Sequence, residues 1–119
     1  MEKVNLTEKL KLFSDHWHPR IVGELNGQYV KLAKVEGEFD WHSHRGEDEL
    51  FLVVSGCLTV KLRERDITLE EGEFFVVPRG VEHKPVAEKE THLLLFEPKS
   101  TLNTGDVRTD RTVEELQWI

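Results

Sequence analysis

A chain of 119 residues with 38% hydrophobic side chains can bury one modest core and leaves no room for a second domain. Its formal charge of -7, from 23 acidic against 16 basic residues, repels nucleic acid and anionic membranes. No stretch has the length and apolarity to span a bilayer, residues 1–12 lack the apolar run of a secretion signal, and the single Cys57 fits a reducing cytoplasm.

Asn5 followed by Glu8 reads as a helix start, with Leu6, Leu10 and Phe13 at helical spacing, and residues 15–19 end that short helix. Asn26-Gly27, between residues 21–25 and 29–35, is a dipeptide that turns one antiparallel strand into the next. Residues 41–44, 50–54 and 58–62 follow as short strands, punctuated by Gly46 and by Ser55-Gly56, and residues 63–66 turn the chain again. Residues 67–69, 73–77, 83–87 and 92–96 complete a run of short strands at regular intervals, the signal of a sandwich or barrel. Beyond Pro98, residues such as Asn103 and Gly105 favour turns and an ordered surface tail. Thr112-Val113-Glu114-Glu115 reads as a capping box, opening a terminal helix that lays Val113, Leu116 and Trp118 on the barrel.

The chemistry gathers on four side chains. His42 and His44, two apart in an extended segment, point to one face and form a two-pronged clamp. Glu49 opens the next apolar run after a hydrophilic turn and returns a carboxylate beside them, with Asp48 as the alternative at a neighbouring spacing. His83 follows the Pro78-Arg79-Gly80 turn and closes the site from another segment. Three imidazoles and a carboxylate suit one divalent ion: iron, manganese, nickel, cobalt, zinc or copper. Phe51 and Val53 share the phase of Glu49 and wall the pocket, and His92 joins them as a substrate contact if its strand register turns it inward. No catalytic acid or base can be assigned. His16 and His18 read as structural or surface residues, Cys57 as a small packed side chain and Arg79 as a solvated turn residue.

This arrangement resembles the cupin superfamily over residues 28–97. Gly37, His42, His44, Glu49 and Gly56 match its first motif, and Gly72, Pro78, Gly80 and His83 match its second. The six residues between Glu49 and Gly56 match the family spacing and favour Glu49 over Asp48 as the ligand. There are two departures: the loop between Gly37 and His42 is one residue tighter than usual, and Ala87 stands where the family places Asn. The resemblance is strongest to small cupins described as mannose-6-phosphate isomerase-like. It implies an all-β fold, a cupin-type double-stranded β-helix or jelly-roll barrel, here with short N- and C-terminal helices. Residues 1–119 would form one domain: the barrel over 28–97, a helix and strand over 5–25, and a tail and helix over 98–119. The expected function is a divalent-metal-binding enzyme on a small polar metabolite, of oxygenase or sugar isomerase/epimerase type, with a non-catalytic binding or sensing module as the alternative. A homodimer formed through sheet edges is expected by analogy, with no nucleic-acid or membrane partner.

Overall fold

The computed structural model describes residues 2–119; Met1, the first residue of the expected domain, lies outside the described residues. Helix α1, Leu6–Leu10, starts where the cap predicts: Asn5 Oδ1 accepts from the Glu8 amide at 3.0 Å, satisfying a first-turn donor. Strands β1, Arg20–Leu25, and β2, Gln28–Glu38, form the expected hairpin. Asn26 and Gly27 join them with φ of 50° and 76°, the left-handed pair a two-residue turn requires.

Five more strands follow: β3, Glu49–Ser55; β4, Cys57–Leu62; β5, Asp66–Glu70; β6, Phe74–Val77; and β7, His83–Pro98. All pairings are antiparallel, in the order β1-β2-β7-β3-β6, with β4 paired to β5 and β7. Strand β7 is the hinge of the barrel. Its first residues pair with β4, from Leu62 opposite His83 to Thr59 opposite Val86, and residues 92–96 pair with β3. β2 follows β7 along both parts, with a register shift between Val35 and Gly37 where the strand bends.

Alternation along each strand sends one set of side chains inward. Val53, Leu58, Val60, Val77, Leu93 and their neighbours fill the barrel, while Leu10, Phe13, Val22 and Leu32 form a second cluster where α1 covers the outer face of the first hairpin.

Three expected elements differ. Residues 83–87 and 92–96 belong to one strand, because β7 keeps pairing with β2 as its other partner changes. Residues 41–44 are no regular strand and make only an isolated bridge at His42. The C-terminal helix does not form. The Thr112 hydroxyl accepts from the Thr109 amide at 2.9 Å, and the Val113 amide donates to Asn103 Oδ1 at 2.9 Å, so residues that precede the expected helix occupy its capping groups. The chain end instead runs along β1, where Ile21 donates to Gln117 and accepts from Ile119. Cys57, expected to be packed, is exposed, because the phase of β4 that buries Leu58 and Val60 turns it outward.

Candidate metal centre

Strand phase and two backbone staples assemble the site. Glu49 is the first residue of β3 and shares its buried face with Phe51 and Val53. His83 is the first residue of β7 and is fully buried. The loop carrying His42 and His44 is held against it: His42 and His83 exchange backbone hydrogen bonds, and the Gly80 amide donates to the His44 carbonyl at 2.8 Å. One ligand atom from each of His42, His44, Glu49 and His83 lies within 4.8 Å of the others, and all four residues are buried.

Proton placement decides what this cluster suits. His42 Nδ1 lies 2.8 Å from the Asp40 carbonyl and His83 Nδ1 lies 3.0 Å from the Val81 carbonyl. A carbonyl only accepts, so each Nδ1 carries the proton and each Nε2 offers a lone pair. Glu49 Oε1 sits 3.2 Å from His83 Nε2 and 3.3 Å from His44 Nε2. The close approach of His83 Nε2 to a carboxylate oxygen is satisfied by a cation shared between them, a proton or a metal ion. Both ring nitrogens of His44 are buried without a hydrogen-bond partner among the described residues; the contact with Glu49 meets an ion-pair distance but not hydrogen-bond geometry. Leaving such an atom unsatisfied costs about 1–3 kcal/mol, and a divalent ion ligated by one His44 nitrogen satisfies that one. The donor set fits a metal.

The electrostatics agree with a cation-seeking centre. Burial, helped by the neighbouring His83, brings the His42 pKa down to about 4, so its ring is neutral at physiological pH. Burial also opposes charge on His44, but the adjacent Glu49 carboxylate outweighs it and the net shift is upward. For Glu49, burial pushes up, yet the neighbouring Glu97, His44 and His83 hold it well below the usual carboxylate range. Burial and the charge of Glu49 push Glu97 the other way, well above its ordinary value.

The remaining candidates are dispersed. Asp48 points outward and accepts from the Arg79 amide at 2.8 Å, with the Arg79 guanidinium also beside it. Phe51 lines a narrow cavity together with His42 and Glu49, whereas Val53 is buried deeper in the barrel core. His92 is not brought to that cavity: its neighbour Leu93 takes the inward phase, and His92 Nε2 meets Glu90 Oε1 on the outside at 3.0 Å. His16 reaches the other oxygen of Glu90 at 2.9 Å, and His18 pairs with Asp15.

Sequence reasoning did not single out most of the cavity lining, including Trp17, Phe39, Asn103 and Glu97, nor Lys31 behind it. Trp17 and Phe39, stacked at 4.8 Å, both line the cavity, and Asn103 reaches it from the C-terminal tail. Glu97 lines it from β7, with Lys31 of β2 donating to Glu97 Oε1 at 2.8 Å. A signal existed for the last two, since Glu97 continues the inward phase of Leu93 and Leu95, and Lys31 that of Ala33 and Val35.

Residues 28–97 match the family model described as Cupin domain. The chain belongs to the cupin family. Among solved structures, this cupin is 47% identical to a cupin-2 domain containing protein from Shewanella frigidimarina, with a TM-score of 0.80 over 81% of this chain and 94% of the other. It is 34% identical to the uncharacterized protein YdbB of Bacillus subtilis over 53% of this chain and 57% of that protein. It is also 33% identical to 3-hydroxyanthranilate 3,4-dioxygenase 2 of Aspergillus fumigatus over 70% of this chain and 46% of that protein. The cupin thus spans about half the length of these two curated relatives. Where the family places Asn, its Ala87 is buried in the barrel core opposite Gly37.

Proposed function

We propose that this cupin is a metal-dependent oxygenase of a small metabolite that has a flat apolar body and a polar end, with His42, His44, Glu49 and His83 holding one divalent ion. The observation that carries this reading is the wall facing the cluster: Trp17, Phe39, Phe51, Leu93 and Leu95 make it aromatic and aliphatic. Such a wall excludes water and suits a ring better than a sugar, whose hydroxyls need many polar partners. Similarity to a 3-hydroxyanthranilate 3,4-dioxygenase over 70% of this chain supports the same chemistry.

A redox-active ion bound here supplies Lewis acidity and exchange of electrons with dioxygen. The protein's part is to orient the donors. The Asp40 and Val81 carbonyls fix the His42 and His83 rings, and the apolar wall holds the substrate body.

Apo protein reloaded anaerobically with Fe²⁺, Mn²⁺, Co²⁺, Ni²⁺, Cu²⁺ or Zn²⁺, then exposed to oxygen with a panel of ortho-hydroxy- and ortho-aminophenols, tests the reading. Oxygen uptake with iron, manganese or copper, absent with zinc and absent in His42→Ala, is expected. Saturable thermal stabilisation without oxygen uptake would assign the barrel to ligand binding.

So read, the protein is a single barrel domain in a reducing compartment, a placement supported by the lone Cys57, and it works as a homodimer. The chain's own C-terminus occupies the edge of β1 at Ile21, whereas β6 ends the sheet with Phe74 and Val76 exposed, which favours β6 as the pairing edge. Light scattering that reports a monomer across micromolar concentrations would refute the dimer.

A further inference from the structure

Behind Glu49 lies a row of buried charge that the metal ligands alone do not explain. The β3–β7 register pairs Leu50 with Phe96 and Phe51 with Leu95, and its continuation sets Glu49 opposite Glu97. On the other side, the β2–β7 register pairs Tyr29 with Glu97 and Lys31 with Leu95, which places Lys31 diagonally beside Glu97. The side chains of Lys31 and Glu97 are each 2% exposed and meet at 2.8 Å through Glu97 Oε1. Glu97 Oε2 has no hydrogen-bond partner among the described residues, and Glu97 and Glu49 line the same cavity. The row Lys31, Glu97, Glu49 ends on the oxygen that faces His44 and His83.

A buried pair such as Lys31 and Glu97 is a poor way to stabilise a barrel, because an apolar pair of similar volume packs there without the desolvation cost. Its placement against a ligand indicates another use. Resting on the metal-binding reading above, we infer that Lys31 and Glu97 are positioning residues: Lys31 anchors Glu97 through Oε1, and Glu97, protonated on Oε2, donates to the Glu49 carboxylate and holds it against the three imidazoles, setting metal affinity.

Chelator competition with Zn²⁺ and Mn²⁺, together with the visible spectrum of the Co²⁺-loaded protein, tests this. The double variant Lys31→Met/Glu97→Met removes both buried polar groups and is expected to fold, with metal affinity about 10- to 100-fold weaker and an altered Co²⁺ spectrum. Glu97→Gln preserves both contacts, its amide oxygen accepting from Lys31 and its amide nitrogen donating to Glu49. It is expected to keep affinity within about threefold and the wild-type spectrum. Glu97→Asp keeps the carboxyl group but withdraws it by one methylene; it should lose about tenfold, and it carries the test if the double variant fails to fold. Wild-type affinity and spectrum in either the double or the Asp variant would overturn the positioning role alone. Failure of the wild-type protein itself to bind Zn²⁺, Mn²⁺ or Co²⁺ would overturn the metal reading and this inference with it.

Discussion

The backbones of His42 and His83 exchange both hydrogen bonds, at 3.0 and 2.9 Å, and their ring centroids lie 4.2 Å apart. An isolated bridge between a loop and a strand end therefore holds two donors together before any ion arrives. Preorganisation of this kind removes ordering cost from binding.

Glu49 and its neighbour Asp48 provide the sharpest separation of ligand from bystander. Glu49→Gln should lower metal affinity by at least about 100-fold, while Asp48→Asn, which changes only the exposed pairing with Arg79, should leave it within about twofold. Isothermal titration of both variants checks this, and equal losses would mean the carboxylate ligand has been misassigned.

Metal binding should weaken in acid, and His44 should be where protons compete first, because Glu49 raises its affinity for a proton. Below the His44 pKa the apparent affinity should fall about tenfold per pH unit for each proton displaced. Chelator competition from pH 5 to 8 reads that slope; a flat profile would remove His44 from the ligand set.

His42 shapes the acid stability of the metal-free protein. Its pKa is lowered from 6.5 to about 4, so between those values the unfolded chain binds a proton that the native state refuses. Stability therefore falls as pH drops through this window, by up to about 3 kcal/mol from this group. The raised His44 acts oppositely: its contribution is present below the ordinary imidazole value and is lost as pH rises through its native pKa. Urea unfolding in chelator, wild type against His42→Gln, isolates the first effect, and parallel pH profiles would contradict it.

Gly105 links the tail to the site. It has φ of 64°, and a Cβ there would run into the Ser43 carbonyl between the two clamp histidines, with His42 Cδ2 at 3.2 Å. Gly105→Ala should cost about 1–3 kcal/mol and weaken metal binding together with stability. Calorimetry and metal titration of the variant test the link; an unchanged affinity would show that the tail is not coupled to the clamp.

Much of this was legible because it is local. The Asn5 cap and the Asn26-Gly27 turn each depend on groups a few residues apart, and both form as read. The spacing of His42, His44, Glu49 and His83 also identified residues that the fold does bring together. The terminal helix was misread for the opposite reason: Thr112 and Val113 have good local capping chemistry, but Thr109 and Asn103 hold the same groups in the folded chain. The bond from Val113 back to Asn103 and the turn closed by Thr109 outcompete a short helix that is marginal by itself.

Local patterns in the sequence were enough for the strand-rich barrel and for the four residues that the fold brings together, since alternation, turn dipeptides and motif spacing act over short stretches of chain. Only the tertiary structure decided that β7 is continuous, that His92 faces outward, that Trp17 and Asn103 reach the cavity, and that Lys31 and Glu97 stand behind Glu49. Those outcomes depend on the register between distant strands, where a slip of one residue exchanges the inner and outer faces.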